Sequence, residues 1–339
     1  MSSAVHLVSP TPADPSRAAL LPTRAELRDA LGVVHAAMPA TPQYRWPQLD
    51  ARCDAEVWVK HENHTPIAAF KARSALVYIE HLRRAQPGVG GIISATRGNH
   101  GQAVGFAALR FGMRAAIVVP RGNSVEKNAA MRALGVELIE HGRDFQEAAE
   151  HADVIAVERG WHRMPSFHPL LVRGAATYAM ELFRAVQGLE AVYVPIGLGS
   201  GVCGVIAARD ALDLDTQVIG VVASEAPAYA LSLEAGHPVS HESATRIADG
   251  MAVRVPDAGA LEIIRRGAAR VVRVTDDEIE AAMRAMFADT HNVAEGGGAA
   301  ALAALLQERG RMRGRKVAVI LSGGNVDSTV FARVLGGGG

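Results

Sequence analysis

Short β-rich runs alternate with longer helical patterns almost throughout this chain of 339 residues, and that alternation constrains the fold more than any other feature. Residues 56–62 show the pattern: Val57, Val59 and His61 alternate with Trp58, Lys60 and Glu62, a strand period. Pro66 then breaks the run, and Phe70-Lys71 opens helix formers that continue to Arg84. Strands are predicted at 56–62, 91–95, 115–120, 136–141, 191–196, 218–223, 271–274 and 317–321. Helices are predicted at 71–84, 99–111, 125–134, 144–158, 170–187, 202–212, 276–288 and 295–307. In 99–111, Val104, Ala107, Ala108 and Phe111 form one apolar stripe. Such alternation implies an α/β fold, parallel sheets with covering helices. The length exceeds one core, so two domains are expected, with a boundary near Pro165 and Pro169. No internal repeat stands out.

Hydrophobic residues make up 49% and charged residues 21%, the balance of a globular protein with a large core. The 35 basic and 35 acidic side chains cancel, and no basic tract exists, which argues against nucleic acid or an anionic membrane as partner. Only Cys53 and Cys203 occur, far apart and without CxxC spacing, so neither a disulfide framework nor a zinc site is expected. A reducing, cytoplasmic setting follows. No run of about 18 apolar residues is present to span a membrane. Residues 1–22, rich in Ala, Pro and Ser, are expected to be a flexible arm and not a secretory leader. Gly336–Gly339 is expected to be a disordered tail.

Chemistry is expected at the strand-to-helix turns, because ligands of such folds sit at the carboxyl ends of strands. Lys71 stands where a helix N-terminus and the apolar neighbours Ala68, Ala69 and Phe70 both disfavour its charged form. A neutral amine condenses with carbonyls, although a surface lysine on a helix would read the same in isolation. Ser94–Gln102 offers the Thr96 hydroxyl, Gly98 and a fresh helix N-terminus for an anion, or merely a turn with Asn99 as N-cap. In Pro195–Gly204, Gly197, Gly199 and Gly201 free backbone amides to converge on a phosphate. Gly199, Gly201 and Gly204 also spell GxGxxG with Glu225 about 20 residues on, which keeps an NAD-dependent dehydrogenase as a rival. Leu321–Asn325 places the Ser322 hydroxyl where a ring nitrogen could meet it, or is a plain glycine turn. An amine, an anion cradle, a second anion site and a late hydroxyl together suit pyridoxal 5'-phosphate.

With these motifs in this order, the chain resembles the serine/threonine dehydratase group of fold-type-II pyridoxal-phosphate enzymes from about Thr41 to Val334. The family's P-T-G-S-F-K-x-R reads Pro66-Ile-Ala-Ala-Phe-Lys71-Ala-Arg73 here, and its S-[SA]-G-N-H reads Thr96-Arg97-Gly98-Asn99-His100. Its glycine loop appears as Gly197-Leu198-Gly199-Ser200 followed by Gly201, and its late serine as Ser322 in SGGN. Ile247–Val253 and Ala294–Leu305 are also similar to family segments. The resemblance implies two three-layer domains of the tryptophan-synthase-β kind, a large cofactor-binding one over 23–86 and 168–335 and a small substrate-loop one over 87–167. It implies an imine between Lys71 and the cofactor, with Phe70, Asn99, residues 197–201 and Ser322 around it. It implies substrate-carboxylate binding by Thr96, Arg97, Gly98 and His100. Ala68-Ala69 departs from the family's Gly-Ser pair, and Arg97 from a small residue. Val222 stands where cation-binding relatives carry glutamate, so no metal is expected. No regulatory domain follows SGGN, so feedback by isoleucine is not expected.

The activity so implied is β-elimination from a 3-hydroxy-α-amino acid to a 2-oxo acid and ammonia, with Lys71 as the base at Cα. Threonine or serine is the family default. The altered 68–69 edge and Arg97 make a bulkier substrate such as threo-phenylserine an equal candidate. The nearest rival is an amino-acid racemase, which needs a proton donor on the opposite face. Relatives place a serine at Thr96, whose extra methyl disfavours that role. A small amino acid is the expected partner, and a homodimer the candidate assembly.

Overall fold

The computed structural model describes residues 5–6 and 21–337. The expected arm over 1–22 and tail over 336–339 therefore lie mostly outside the described residues. Two sheets form the frame. The larger runs in the order β1 (Val5–His6), β10 (Arg270–Val274), β9 (Gln217–Ala223), β8 (Ala191–Pro195), β11 (Lys316–Leu321), β3 (Glu56–His61) and β2 (Gln43–Arg45). The smaller runs β6 (Glu137–Glu140), β5 (Ala115–Val119), β4 (Ile92–Ala95) and β7 (His162–Arg163), parallel throughout. The five inner strands of the larger sheet are parallel, as expected of a parallel-sheet α/β fold. Its edges, β1 on β10 and β2 on β3, are antiparallel. Runs of two and three residues are too short to show a strand period, and short edges of this kind limit further pairing.

Each sheet is covered on both faces. One face of the larger sheet carries α1 (Arg24–His35), α7 (Pro169–Ala185), α8 (Ser200–Ala211), α9 (Ala228–Ala235) and α10 (Ala258–Gly267). The other carries α2 (Pro47–Cys53), α11 (Asp276–Thr290), α12 (Gly296–Gln307) and α14 (Ser328–Leu335), with α13 (Arg309–Met312) leading into β11. Along β8 the two faces alternate: Val192 and Val194 enter the first core, Ala191 and Tyr193 the second. The smaller sheet packs on α3 (Lys71–Ala85), α4 (Asn99–Phe111) and α5 (Val125–Ala133) on one side and α6 (Phe145–Arg159) on the other.

Two glycines set the spacing that matters for chemistry. A Cβ at Gly174 of α7 would lie 2.5 Å from the Arg73 carbonyl oxygen of α3. A Cβ at Gly204 of α8 would lie 2.7 Å from the Ala176 nitrogen of α7. Helices α3, α7 and α8 thus pack nearly backbone to backbone, which brings the starts of α3 and α8 together. Gly204, the last glycine of the GxGxxG pattern, is used here for helix packing.

Beneath this point lies a buried ion cluster. Arg73 Nε donates to Glu62 Oε2 at 2.7 Å, and Arg73 Nη1 to Glu181 Oε1 at 2.6 Å. Lys60 Nζ donates to Glu181 Oε2 at 2.7 Å, tying β3, α3 and α7. Burial alone would raise the Glu181 carboxyl, but Arg73 and Lys60 hold it at about 2. Removing one member of such a cluster leaves its partners buried and uncompensated. Glu181→Ala should therefore cost about 3–5 kcal/mol in urea unfolding at neutral pH. The carboxylate's own contribution is present above the ordinary carboxylate range and is lost as pH falls toward 2, because the folded value is the depressed one. The deficit of the variant should shrink along that descent.

Candidate active site

Lys71 is the first residue of α3, and its Nζ lies 3.4 Å from Ser200 Oγ, at the first residue of α8. The amine is 5.1 Å from the centre of the Phe70 ring. No carboxylate among the described residues pairs with it, and enclosure pushes the ammonium down to about 8. Phe70 is fixed edge-on against Tyr178, with ring centres 5.9 Å apart, and the Tyr178 hydroxyl donates to the Gly201 carbonyl at 3.0 Å. Phe70, Lys71, Ser200 and Gly201 therefore meet. Helix α8 starts two residues before the predicted Val202, which puts Ser200 and Gly201 in its first turn.

The turn before α8 is held from behind. Gly199 has φ 101°, the left-handed region, and a Cβ there would lie 2.7 Å from Ala260 Cβ. A Cβ on Gly197 would lie 2.3 Å from the Gly250 carbonyl oxygen. The Leu198 carbonyl accepts from Tyr229 Oη at 2.9 Å. On the other side, the Ser322 carbonyl accepts from Phe70 N–H at 3.0 Å, and Ser322 Oγ lies 3.4 Å from the Gly297 carbonyl at the start of α12. Gly324 N–H donates to the carbonyl of Ala68, at 2.9 Å. Ala68 itself has φ 52°, a left-handed conformation in which a side chain is strained. The family motif has glycine at this position.

Turn 96–100 leads from β4 into α4. Its N-cap is Gly98, not Asn99, since Asn99 is already helical. That frees the Asn99 side chain: Nδ2 donates to Glu295 Oε1 at 2.6 Å, and Oδ1 accepts from Asn325 Nδ2 at 2.8 Å. Thr96 is buried, and its hydroxyl accepts from Gly98 N–H at 3.1 Å. His100 Nε2 lies 3.1 Å from Ser94 Oγ. Desolvation, aided by the charges of Lys71 and Arg163, holds His100 down at about 3. It is a neutral ring at any physiological pH. Arg97 is exposed and forms no ion pair with a described residue.

Glu295 is the largest omission of the sequence reading. It is the N-cap residue of α12, and burial raises its carboxyl above the usual range. The segment Ala294–Leu305 carried a family likeness but nothing in it singled out the acid. Tyr178, in the middle of α7, gave no sequence signal at all.

Among the eight described helices of twelve residues or more, α1, α6, α7 and α11 have side-chain N-caps, from Thr23, Asp144, His168 and Thr275. Helices α3, α4, α8 and α12 have none, and these are the four that open on this site. A helix start that is buried and uncapped leaves amides to be satisfied by a ligand, preferably an anion. At α8 the waiting amides adjoin the Lys71 amine, a setting that fits a phosphorylated aldehyde.

Comparison with known proteins agrees in kind. The pattern of the family described as "Pyridoxal-phosphate dependent enzyme" matches residues 35–323. The biosynthetic L-threonine dehydratase of Salmonella typhimurium is 34% identical over 297 residues, which cover 87% of this chain and 58% of that protein. The chain thus spans less than two thirds of that relative's length. The processed form of threonine deaminase isoform 2 from Solanum lycopersicum superposes with a TM-score of 0.89 at 28% identity, covering 98% of this chain and 96% of that one. Maize serine racemase superposes with a TM-score of 0.86 at 25% identity, covering 93% and 97%.

The depressed amine is open to direct measurement. After reductive methylation of the cofactor-free protein with 13C-formaldehyde, one dimethyl-lysine resonance should titrate near pH 8 and be missing from Lys71→Ala. Burial lowers Lys60 as well, so the loss of one resonance in Lys71→Ala makes the assignment.

Proposed function

The chain belongs to the pyridoxal-phosphate-dependent enzymes, and we propose that within that family it is an ammonia-lyase, eliminating water and then ammonia from a 3-hydroxy-α-amino acid. The observation that carries this is the Lys71 amine, unpaired by any carboxylate, lowered to about 8 and 3.4 Å from the first residue of an uncapped helix. The relative named a threonine dehydratase and the structure named a threonine deaminase support the reaction class.

In this reading Lys71 carries the cofactor covalently, the first-turn amides of α8 at Ser200 and Gly201 receive its phosphate, and Ser322 faces its ring nitrogen. Residues 23–86 and 168–335 form the cofactor-binding domain, and 87–167 the substrate-loop domain. When bound, pyridoxal phosphate supplies an electron sink for the pair left at Cα. The chain supplies the rest. With a value near 8, Lys71 is neutral in a useful fraction at physiological pH and takes the Cα proton onto Nζ. The uncapped start of α4 and the amides of turn 96–100 receive the substrate carboxylate. His100, uncharged, adds no competing cation beside Lys71. Ser322 offers a neutral hydroxyl and no carboxylate, so nothing there keeps the ring nitrogen protonated. That moderates the sink and favours prompt loss of the β-hydroxyl.

Racemisation is the second reading, favoured by the likeness to maize serine racemase. It needs a proton donor facing Lys71 across the substrate. Thr96 carries an extra methyl where relatives place a serine, which supports elimination over proton return. Threonine and threo-phenylserine are the substrates to compare first.

The purified protein should absorb as a yellow chromophore that borohydride bleaches, with the reduced adduct on the peptide containing Lys71. A panel of 3-hydroxy amino acids should give 2-oxo acid and ammonia in equal amounts. Lys71→Ala should lower turnover by about 10²–10⁴ or more, the span of a lost general base. Recovery of the opposite enantiomer as sole product would establish the racemase instead.

A further inference from the structure

A separate set of contacts ties the first turn of α5 to the larger sheet's side of the molecule. Ser124 caps that helix, its hydroxyl accepting from Lys127 N–H at 3.0 Å. The same hydroxyl donates to Asp327 Oδ1 at 2.5 Å. Asp327 is the N-cap residue of α14 and makes no capping bond within its own helix. Glu126 does so in its place: its Oε1 accepts from Ser328 N–H at 3.0 Å and from Ser328 Oγ at 2.6 Å. Helices α5 and α14, from different sheets, thus complete each other's starts.

The opposite side of the turn is held as well. Lys127 Nζ reaches Asp249 Oδ2 at 3.4 Å, in the segment before α10. The lysine side chain is 13% exposed and the aspartate 59%, so the bond spans from under the surface to its rim. Its methylenes lie on the substrate loop: a Cβ on Gly98 would be 3.0 Å from Lys127 Cδ. The pair also acts on Glu295, whose carboxyl burial raises, Lys127 draws down and Asp249 pushes up. Glu295 holds the Asn99 amide.

We propose that the first turn of α5 is the clasp that sets the width of the cleft, with Lys127 as its positioning residue, pressing turn 96–100 against the larger sheet through its bond to Asp249. A side chain at position 98 would force the lysine stem that crosses it to give way by a few tenths of an ångström. Only the kinetic arm of the test rests on the lyase reading.

The test uses the full-length holoenzyme and Lys127→Met, Asp249→Asn and the exchanged pair Lys127→Asp with Asp249→Lys. Amide hydrogen exchange over 96–100 should quicken in both single variants, more in Lys127→Met because it also loses the packing on Gly98. KM for the best amino acid of the panel should rise about fivefold, the size of a partly exposed ion pair, with kcat changing less and the chromophore retained. The exchanged pair should recover part of both losses. Wild-type exchange and KM in Lys127→Met and Asp249→Asn would overturn the clasp. So would an exchanged pair no better than its single members. Should Lys127→Met not fold, Asp249→Asn at its exposed position carries the test. Absence of lyase turnover in the unmutated enzyme would refute the functional reading and leave the exchange arm to decide the clasp.

Discussion

Four buried helix starts without caps are the constraint on which the rest of this structure depends. Helices α3, α4, α8 and α12 all start at this site without a side-chain cap, and each start carries a partial positive charge. A protein that buries such groups without partners is less stable than one that caps them, as α1, α6, α7 and α11 are capped. The arrangement persists because the framework over-determines it. Gly174 and Gly204 bring three helices to backbone contact, and the Arg73 cluster locks α3 to α7 and β3. Lys71, two residues before Arg73, is held in the enclosure that depresses it.

Burial explains why the acid and base groups of the cleft sit away from their ordinary values. Lys71 and His100 are both pushed toward neutrality, chiefly by desolvation, and each positive charge would repel the other. Glu295 is raised for the same reason of burial, and the Asn99 amide offsets part of it. The uncapped start of α8 beside the lowered Lys71 amine suits an anionic ligand. The buried arginine of this neighbourhood is kept below, in the Glu62–Arg73–Glu181 cluster.

Much of this was legible in the sequence where the signal is local. All eight predicted strands and all eight predicted helices occur within a few residues of their expected bounds, because apolar period and turn chemistry act over short spans. The elements not predicted are the edge strands β1, β2 and β7 and the helices α1, α2, α9, α10, α13 and α14. Several of these are too short for periodicity. Helix α1 is long enough, with a capping box at Thr23 and Glu26, and was legible in principle. At the site, residues 70–71, 197–201 and 322 come together as their motifs suggest, whereas Glu295, Tyr178 and Lys127 act through partners more than 20 residues away in sequence. No local pattern reports such pairings. The Asn99 cap failed for a related reason: its amide has two tertiary partners, Glu295 and Asn325, and these outweigh the local turn bond.

Loop-borne groups are ordinarily imprecise, and the relay through Asn99 is how this fold removes the imprecision. Asn325 Nδ2 donates both to the Ile67 carbonyl and to Asn99 Oδ1, each at 2.8 Å, and Asn99 Nδ2 donates onward to Glu295 Oε1. The amide is therefore bonded at both ends, which fixes which atom is oxygen and which nitrogen. The relay joins the turn before Lys71, the loop after β11 and the starts of α4 and α12. Displacing any one of the four segments breaks at least one bond of the relay. The strain at Ala68 belongs to the same arrangement: its carbonyl is pinned by Gly324 N–H at 2.9 Å, so the chain cannot relax out of φ 52° without releasing the loop that carries Ser322 and Asn325. A non-glycine residue in that conformation is tolerated because the surrounding bonds decide the backbone, and in turn it holds the approach to Lys71 in one shape.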